Sequence, residues 1–188
     1  MSTARKTKEC SLRPGVEGWQ LGVAAQDGQV TLEDLDRPLA GVGVDVCVLP
    51  VETLTVCPLW LHVADDALLE GAIRLQLEKR NLLPETTGGR LVAWRVGGRE
   101  EKRVLVLALV LSVEKLKKLG LDEVKVGRFS LSPLAFDLPP NAMMVWRELG
   151  RDVVSFTRDG ELAHFQTLVS VDERSRVLEL TCLAMRLE

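Results

Sequence analysis

Residues 51–84 read VETLTVCPLWLHVADDALLEGAIRLQLEKRNLLP, an apolar run followed at once by a charge-punctuated helical pattern and a proline. The run before the helix alternates well enough to be a strand and is rich in β-branched residues. The spacing then predicts a helix over about 64–83. At 100° per residue Leu68, Leu69, Ala72, Ile73, Leu75 and Leu77 sweep an apolar arc of roughly 200°, about twice the stripe that a surface helix needs. Glu70, Arg74 and Glu78 share the remaining side, where i,i+4 pairing favours a solvated strip. Asp65 and Asp66 fall in the first turn, where the helix dipole favours them, and Pro84 is the expected stop. An arc this wide predicts contact with more than one neighbour.

Strands dominate the sequence on the N-terminal side of this stretch. Arg5, Lys6, Lys8 and Arg13 give residues 1–15 a basic character, read as a flexible lead-in ending in Arg13-Pro14-Gly15. GWQLGVAAQDGQVTLEDL (18–35) reads as two strands joined at Asp27-Gly28. VGVDVCVLP (42–50) reads as a buried strand with the 52–61 run paired beside it. On the C-terminal side come RLVAWRV (90–96), a polar turn, and RVLVLALVLS (103–112), an unbroken apolar run of the kind buried on both faces at the centre of a mixed sheet. A short helix at VEKLKKLG and a strand at EVKVGRFSL follow, and strand, helix, strand in that order is α/β wiring. Three antiparallel strands are then expected over about 142–169, with Asp159-Gly160 as a turn. A closing helix spans about 172–186 with Val177, Leu178 and Cys182 at helical spacing. A hairpin with an Asp-Gly turn opens each half, so two faint copies of a β-rich motif are expected.

Composition excludes several classes. The chain has 188 residues, 46% hydrophobic and 27% charged, with a net charge of −3. That is a globular balance, and no basic field suggests a nucleic-acid partner. Cys10, Cys47, Cys57 and Cys182 lack CxxC spacing, and His62 and His164 are far apart, so buried thiols and core histidines are the reading. MSTARKTKEC has no apolar core for a secretory signal, and VLVLALVL (104–111) is too short to span a bilayer as a helix. These features read as cytosolic, without direct membrane insertion. Leu187 and Glu188 read as an appended scar, with a natural chain that continues beyond it. Phosphate loops of the GxxxxGK[ST] and GxGxxG types and the GxSxG elbow are missing from the sequence. The paired acids Asp65-Asp66 and Glu100-Glu101 are adjacent and point apart. No catalytic constellation emerges, and the expectation is not an enzyme.

The segment CVLPVETLTVCPLWLHVADDALLEGAIRLQLEKRNLLPETTGGRLVAWRV (47–96) resembles the cytoplasmic actin-like proteins of type IV pilus assembly (PilM) and of type II secretion (GspL). Leu49-Pro50, the run Ala72-Ile73-Arg74-Leu75-Gln76-Leu77-Glu78-Lys79 and Pro84 carry the likeness, which extends at pattern level over roughly 18–182. The resemblance implies an α/β fold, an actin-like or ribonuclease H-like mixed sheet with a small inserted αβ subdomain and an incomplete second half. It divides the chain into a lead-in (1–15), a first half (16–140) with the insertion at about 48–98, and the start of a second half (141–188). Actin-like ATPases place an acid followed by glycine at the first turn of each half, against the Mg-nucleotide phosphates. Here Gly18-Trp19-Gln20-Leu21-Gly22 has no acid, and Glu148-Leu149-Gly150 has Glu for Asp, making Glu148 and Gly150 a vestigial phosphate turn. No cofactor and no metal are implied, ATP being the ligand to test. Also implied is a cytoplasmic scaffold, peripheral to a bacterial inner membrane, that holds the cytoplasmic tail of a bitopic membrane protein. Self-association stays open, and the alternative is a truncated nucleotide-binding enzyme of the actin and sugar-kinase superfamily. Leu69, Ile73 and Leu77, with Glu70 and Arg74 as a polar rim, are the expected wall of the tail-binding groove. A ribonuclease H-like nuclease is excluded, because 18–26 and 103–112 supply no carboxylates for two metals.

Overall fold

A computed structural model of the chain describes residues 9–24, 29–63, 65–83, 90–101, 103–169 and 172–187. In chain order the strands are β1 (Cys10–Pro14), β2 (Trp19–Ala24), β3 (Val30–Asp34), β4 (Gly43–Leu49), β5 (Leu54–Leu61), β6 (Arg90–Glu100), β7 (Arg103–Ser112), β8 (Lys125–Leu131), β9 (Met143–Glu148), β10 (Arg151–Arg158) and β11 (Glu161–Thr167). The α-helices are α1 (Leu69–Lys79), α2 (Val113–Lys118) and α3 (Glu173–Leu187). The strands form three sheets, ordered β3-β2-β1-β4-β8, β5-β7-β6 and β11-β10-β9. The molecule is mixed α/β.

The five-stranded sheet is the mixed one. β1, β2 and β3 form an antiparallel meander, and β4 joins β1 in parallel, with β8 parallel to β4. The expected hairpin over 18–35 is present as β2 and β3, while its turn at Asp27-Gly28 lies outside the described residues. Of the lead-in expected over 1–15, residues 10–14 instead form β1, an interior strand with Leu12 fully buried. Its alternation of Cys10 and Leu12 with Ser11 and Arg13 is that of a half-buried strand, which the nearby basic residues obscured. β4 does not pair with the following run. A 3-10 turn at Val51–Thr53 after Pro50 swings the chain into the second sheet, where β5 pairs with β7.

β7 is central, as expected, but in the antiparallel three-stranded sheet rather than in the mixed one. Its two faces enter two cores. Val104, Val106, Ala108 and Val110 pack beneath α1, whereas Leu107 and Leu109 pack with Val153, Leu162 and Phe165 of the third sheet. That double burial is why the run has no polar alternation. The β5-β7-β6 sheet therefore spans Leu54–Ser112, and the β7-α2-β8 segment connects two sheets instead of crossing over within one. β6 continues through the expected polar turn to Glu100, with a bulge between Val96 and Gly98.

α1 is shorter than the 64–83 expectation. Asp65 accepts a bond from the Ala67 N–H and starts a 3-10 turn at Asp66–Leu68 before the α-helix begins. At the other end Leu82 N–H bonds to Leu77 O and Asn81 N–H to Glu78 O, with Asn81 at φ 55°. This is a Schellman cap with Asn in the left-handed position, so the helix stops before Pro84, which is outside the described residues. The third sheet has the expected three antiparallel strands. Both of its turns, Leu149-Gly150 and Asp159-Gly160, have two left-handed residues, the type I′ geometry that matches strand twist. α3 covers one face of it through Leu183 and Leu180 against Val154, Phe156 and Leu168. The expected face of Val177, Leu178 and Cys182 is exposed, because the sheet meets the helix along the adjacent row.

Candidate functional site

The first turns of the two meanders meet. The Gly15–Gly18 turn between β1 and β2 closes on itself through Gly15 N–H to Gly18 O at 2.7 Å, leaving Gly15 O and Val16 O directed outward. Across from it, Leu149 N–H donates to Gly15 O at 2.8 Å and Gly150 N–H donates to Val16 O at 2.6 Å. Gly150 sits at φ 75°, a conformation that costs a side-chain-bearing residue energy and that aims its amide at the facing turn. Arg147 adds an ion pair to Glu17 at 3.5 Å. Successive amides at such a turn form a nest for an anion. Here both amides are satisfied by carbonyls, and the Glu17 carboxylate stands beside them.

Glu148 precedes this turn, yet its side chain points the other way. It is buried, with Oε1 accepting from Val51 N–H and Oε2 accepting from the Trp146 indole N–H at 3.2 Å. Burial raises its pKa above the ordinary carboxylate value, against the pull of those donors, and the neighbouring Glu52 acts in the same direction as burial. The carboxyl thus ties β9 to the joint where β4 hands the chain to β5. Glu148 and Gly150, expected together as a vestigial phosphate turn, are two positions apart in the chain but face different surroundings. Neither Glu17 nor Val51 was singled out from the sequence. The glycines flanking Val16-Glu17 mark the turn, and nothing local marks what it docks against.

The side chains expected to wall a groove on α1 face the sheet beneath the helix. Leu69, Ile73 and Leu77 are at most 1% exposed and pack on Cys57, Leu59, Leu61 and β7. A helix on a narrow sheet touches it along a single row, here i, i+4, i+8, which is the row that was expected to face a partner. The opposite margin of the arc is open, with Leu68 and Leu75 exposed. Glu70 and Arg74 form an exposed ion pair at 3.3 Å, the solvated strip that i,i+4 spacing predicts.

Of the cysteines, Cys47 is buried and held protonated, its pKa raised to about 11 by burial. Cys57 is buried and accepts from Arg80 Nη1 at 2.9 Å. His164 is buried beside Phe156, bonded to Gln166, and burial lowers its pKa. Among the described residues no three His, Cys, Asp or Glu side chains gather closely enough to hold a metal. Among them, too, no helix is long and apolar enough to cross a membrane.

No protein-family profile and no curated protein sequence matches the chain. Solved structures do. The chain is similar to the cytoplasmic domain of EpsL, an inner membrane component of the type II secretion system of Vibrio cholerae, at 13% identity and a TM-score of 0.56, covering 86% of this chain and 71% of that one. It is similar to a chain of a PilM–PilN type IV pilus biogenesis complex at 11% identity and a TM-score of 0.56, covering 87% of this chain and 62% of that one. A Bacteroides thetaiotaomicron protein with an actin-like ATPase fold and unknown function matches at 10% identity and a TM-score of 0.49, covering 97% of this chain and 77% of that one. At these identities the likeness to the first two shows the fold alone, the mixed α/β arrangement described above.

Proposed function

We propose that this chain is a scaffold of a type IV pilus or type II secretion platform, working at the cytoplasmic face of a bacterial inner membrane and binding the cytoplasmic tail of a bitopic membrane protein. The observation that carries the reading is the fold shared with the EpsL cytoplasmic domain and with a chain of the PilM–PilN complex. The geometry at the two turns agrees with a scaffold rather than with the alternative of a truncated nucleotide-binding enzyme. A nucleotide needs outward amides and an open cleft, and here the amides bond to carbonyls of the facing turn. A rigid joint between the halves suits a protein whose work is to present surfaces.

Two measurements test this. Peptides matching the cytoplasmic tails of bitopic membrane proteins encoded beside this chain are titrated against it, and a saturable complex with one of them is expected. No saturable complex with any of them overturns the scaffold reading. Calorimetric titration with Mg-ATP is expected to give no heat of binding. A dissociation constant near 1 µM, about −8 kcal/mol, favours the enzyme alternative instead.

A further inference from the structure

Parallel strands are normally covered on both faces, and β4 is parallel to both of its neighbours. The five-stranded sheet has one covered face, where Leu12, Cys47 and Leu49 pack under Leu39, Leu121, and Leu116 and Leu119 in and just after α2. Among the described residues, no α-helix packs on its other face. Two adjoining depressions of about 330 Å³ and 280 Å³ run across it, sharing Arg13, Val48 and Ala135. Val46 and Val48 of β4 form the floor, 7% and 4% exposed beneath the side chains around them.

The trough has two apolar walls. On the β3 side Val30 and Leu32 lean over β2, which is possible because Gly22 lies beneath them; a methyl group there would meet Ser11 Oγ at 2.6 Å and both side chains at 3.2 Å. On the other side the 3-10 turn Ser132–Ala135 and the residue after it raise Leu134 and Phe136. These four apolar side chains are 39–47% exposed. Four inter-strand spacings of about 4.8 Å separate β3 from β8, roughly 19 Å. With side chains standing on both margins, that width admits one α-helix of about 10 Å diameter.

Charge selects the occupant. Arg13 lies midway, its Nε donating to Ser11 Oγ at 3.0 Å, and among the described residues no carboxylate pairs with it. Arg128 lines one end, paired with Glu9 at 2.6 Å, and Arg147 lines the other, paired with Glu17 at 3.5 Å and Asp152 at 3.9 Å. The second acid in the lining, Glu148, is turned inward to Val51 N–H. Three arginines thus lie along the trough, and Arg13 is the one without a carboxylate partner among the described residues.

We propose that this helix-free face of the five-stranded sheet docks an acidic amphipathic α-helix supplied by a partner protein. Its apolar row fills the space between the walls, and its carboxylates meet Arg13 and Arg128, which can bind them bidentately. This goes beyond the platform reading and stands on sheet geometry and charge alone, so either holds if the other fails.

The test uses two synthetic helices of about 18 residues, long enough to span about 27 Å. Both carry Leu at i, i+3, i+4 and i+7; one is flanked by Glu and the other by Lys. In fluorescence anisotropy the Glu helix is expected to bind saturably, at least about tenfold more tightly than the Lys helix, with a change in Trp146 emission. Arg13→Glu inverts that preference. Leu32→Glu and Leu134→Glu, at exposed positions whose replacement leaves the fold intact by circular dichroism, each weaken the Glu helix about tenfold or more. Leu75→Glu on α1 changes nothing. Failure of the Glu helix to bind, equal binding of both helices, or indifference to Arg13→Glu and Leu134→Glu overturns the proposal. So does a dimer without peptide that Leu134→Glu dissociates in sedimentation, which reassigns the face to self-association.

Discussion

The Gly15–Gly18 turn and the Leu149–Gly150 turn hold equivalent places, between the first two strands of two antiparallel meanders, and they present opposite polarities. The first turns its amide inward, Gly15 to Gly18, and offers carbonyls. The second holds two left-handed residues and offers amides. Two anion-binding turns both have to donate, and a donor turn facing an acceptor turn binds its counterpart instead. The difference turns a pair of similar hairpins into a joint.

The joint can be broken most severely in its backbone. Gly150→Pro removes the N–H that reaches Val16 O and cannot hold φ 75°, so a loss of about 3 kcal/mol or more is expected in urea unfolding. A loss below about 1 kcal/mol means that the two turns do not hold the halves together. Glu148→Ala comes next, at about 2–3 kcal/mol, since it leaves a buried Val51 N–H without its acceptor.

The pH profile sharpens the contrast within the second half. Because burial raises the Glu148 pKa, the folded state binds more protons than the unfolded state above the ordinary carboxylate value. Stability therefore falls as pH rises from there through the raised folded value, and is lost in full above it. Glu148→Gln should flatten that slope. His164 acts with the opposite sense. Its lowered folded pKa means that stability is fully present above about pH 6.5 and declines as pH falls through the folded value. His164→Leu should abolish that decline. Unfolding midpoints measured across the acid range separate the two, and an unchanged slope in either variant rules out its assignment. The smallest effect belongs to the side-chain bridge at the joint: Arg147→Ala removes its long pairs with Glu17 and Asp152 and should cost no more than about 0.5 kcal/mol.

Much of the strand pattern was readable in the residues. The Asp159-Gly160 turn, the three terminal strands and the central role of 103–112 follow from turn chemistry and period. Sheet membership does not, because an unbroken apolar strand looks the same whether its second face meets a helix or another sheet. The same limit governs α1. Periodicity identified the Leu69, Ile73 and Leu77 row as apolar, and only packing decides that it is core while Leu68 and Leu75 are not. Asn81 ended the helix through a cap that depends on one residue adopting a left-handed conformation, whereas Pro84 looked like the stronger signal. The joint itself is non-local, linking positions over a hundred residues apart, and its hydrogen bonds run between backbone atoms that no side chain announces.

β7 belongs to two cores at once, lying under α1 on one face and against Leu162 and Phe165 on the other. In kinetic terms, an opening that exposes its amides must part α1 from the β5-β7-β6 sheet or the third sheet from it. Its protons should therefore exchange only with global unfolding, together with those of β10 and β11. The Leu54–Ser112 segment is for the same reason not a cassette that a deletion can lift out. Without it Phe165 would lose Leu107 and Leu109 from its core, so one sheet serves as a wall of another.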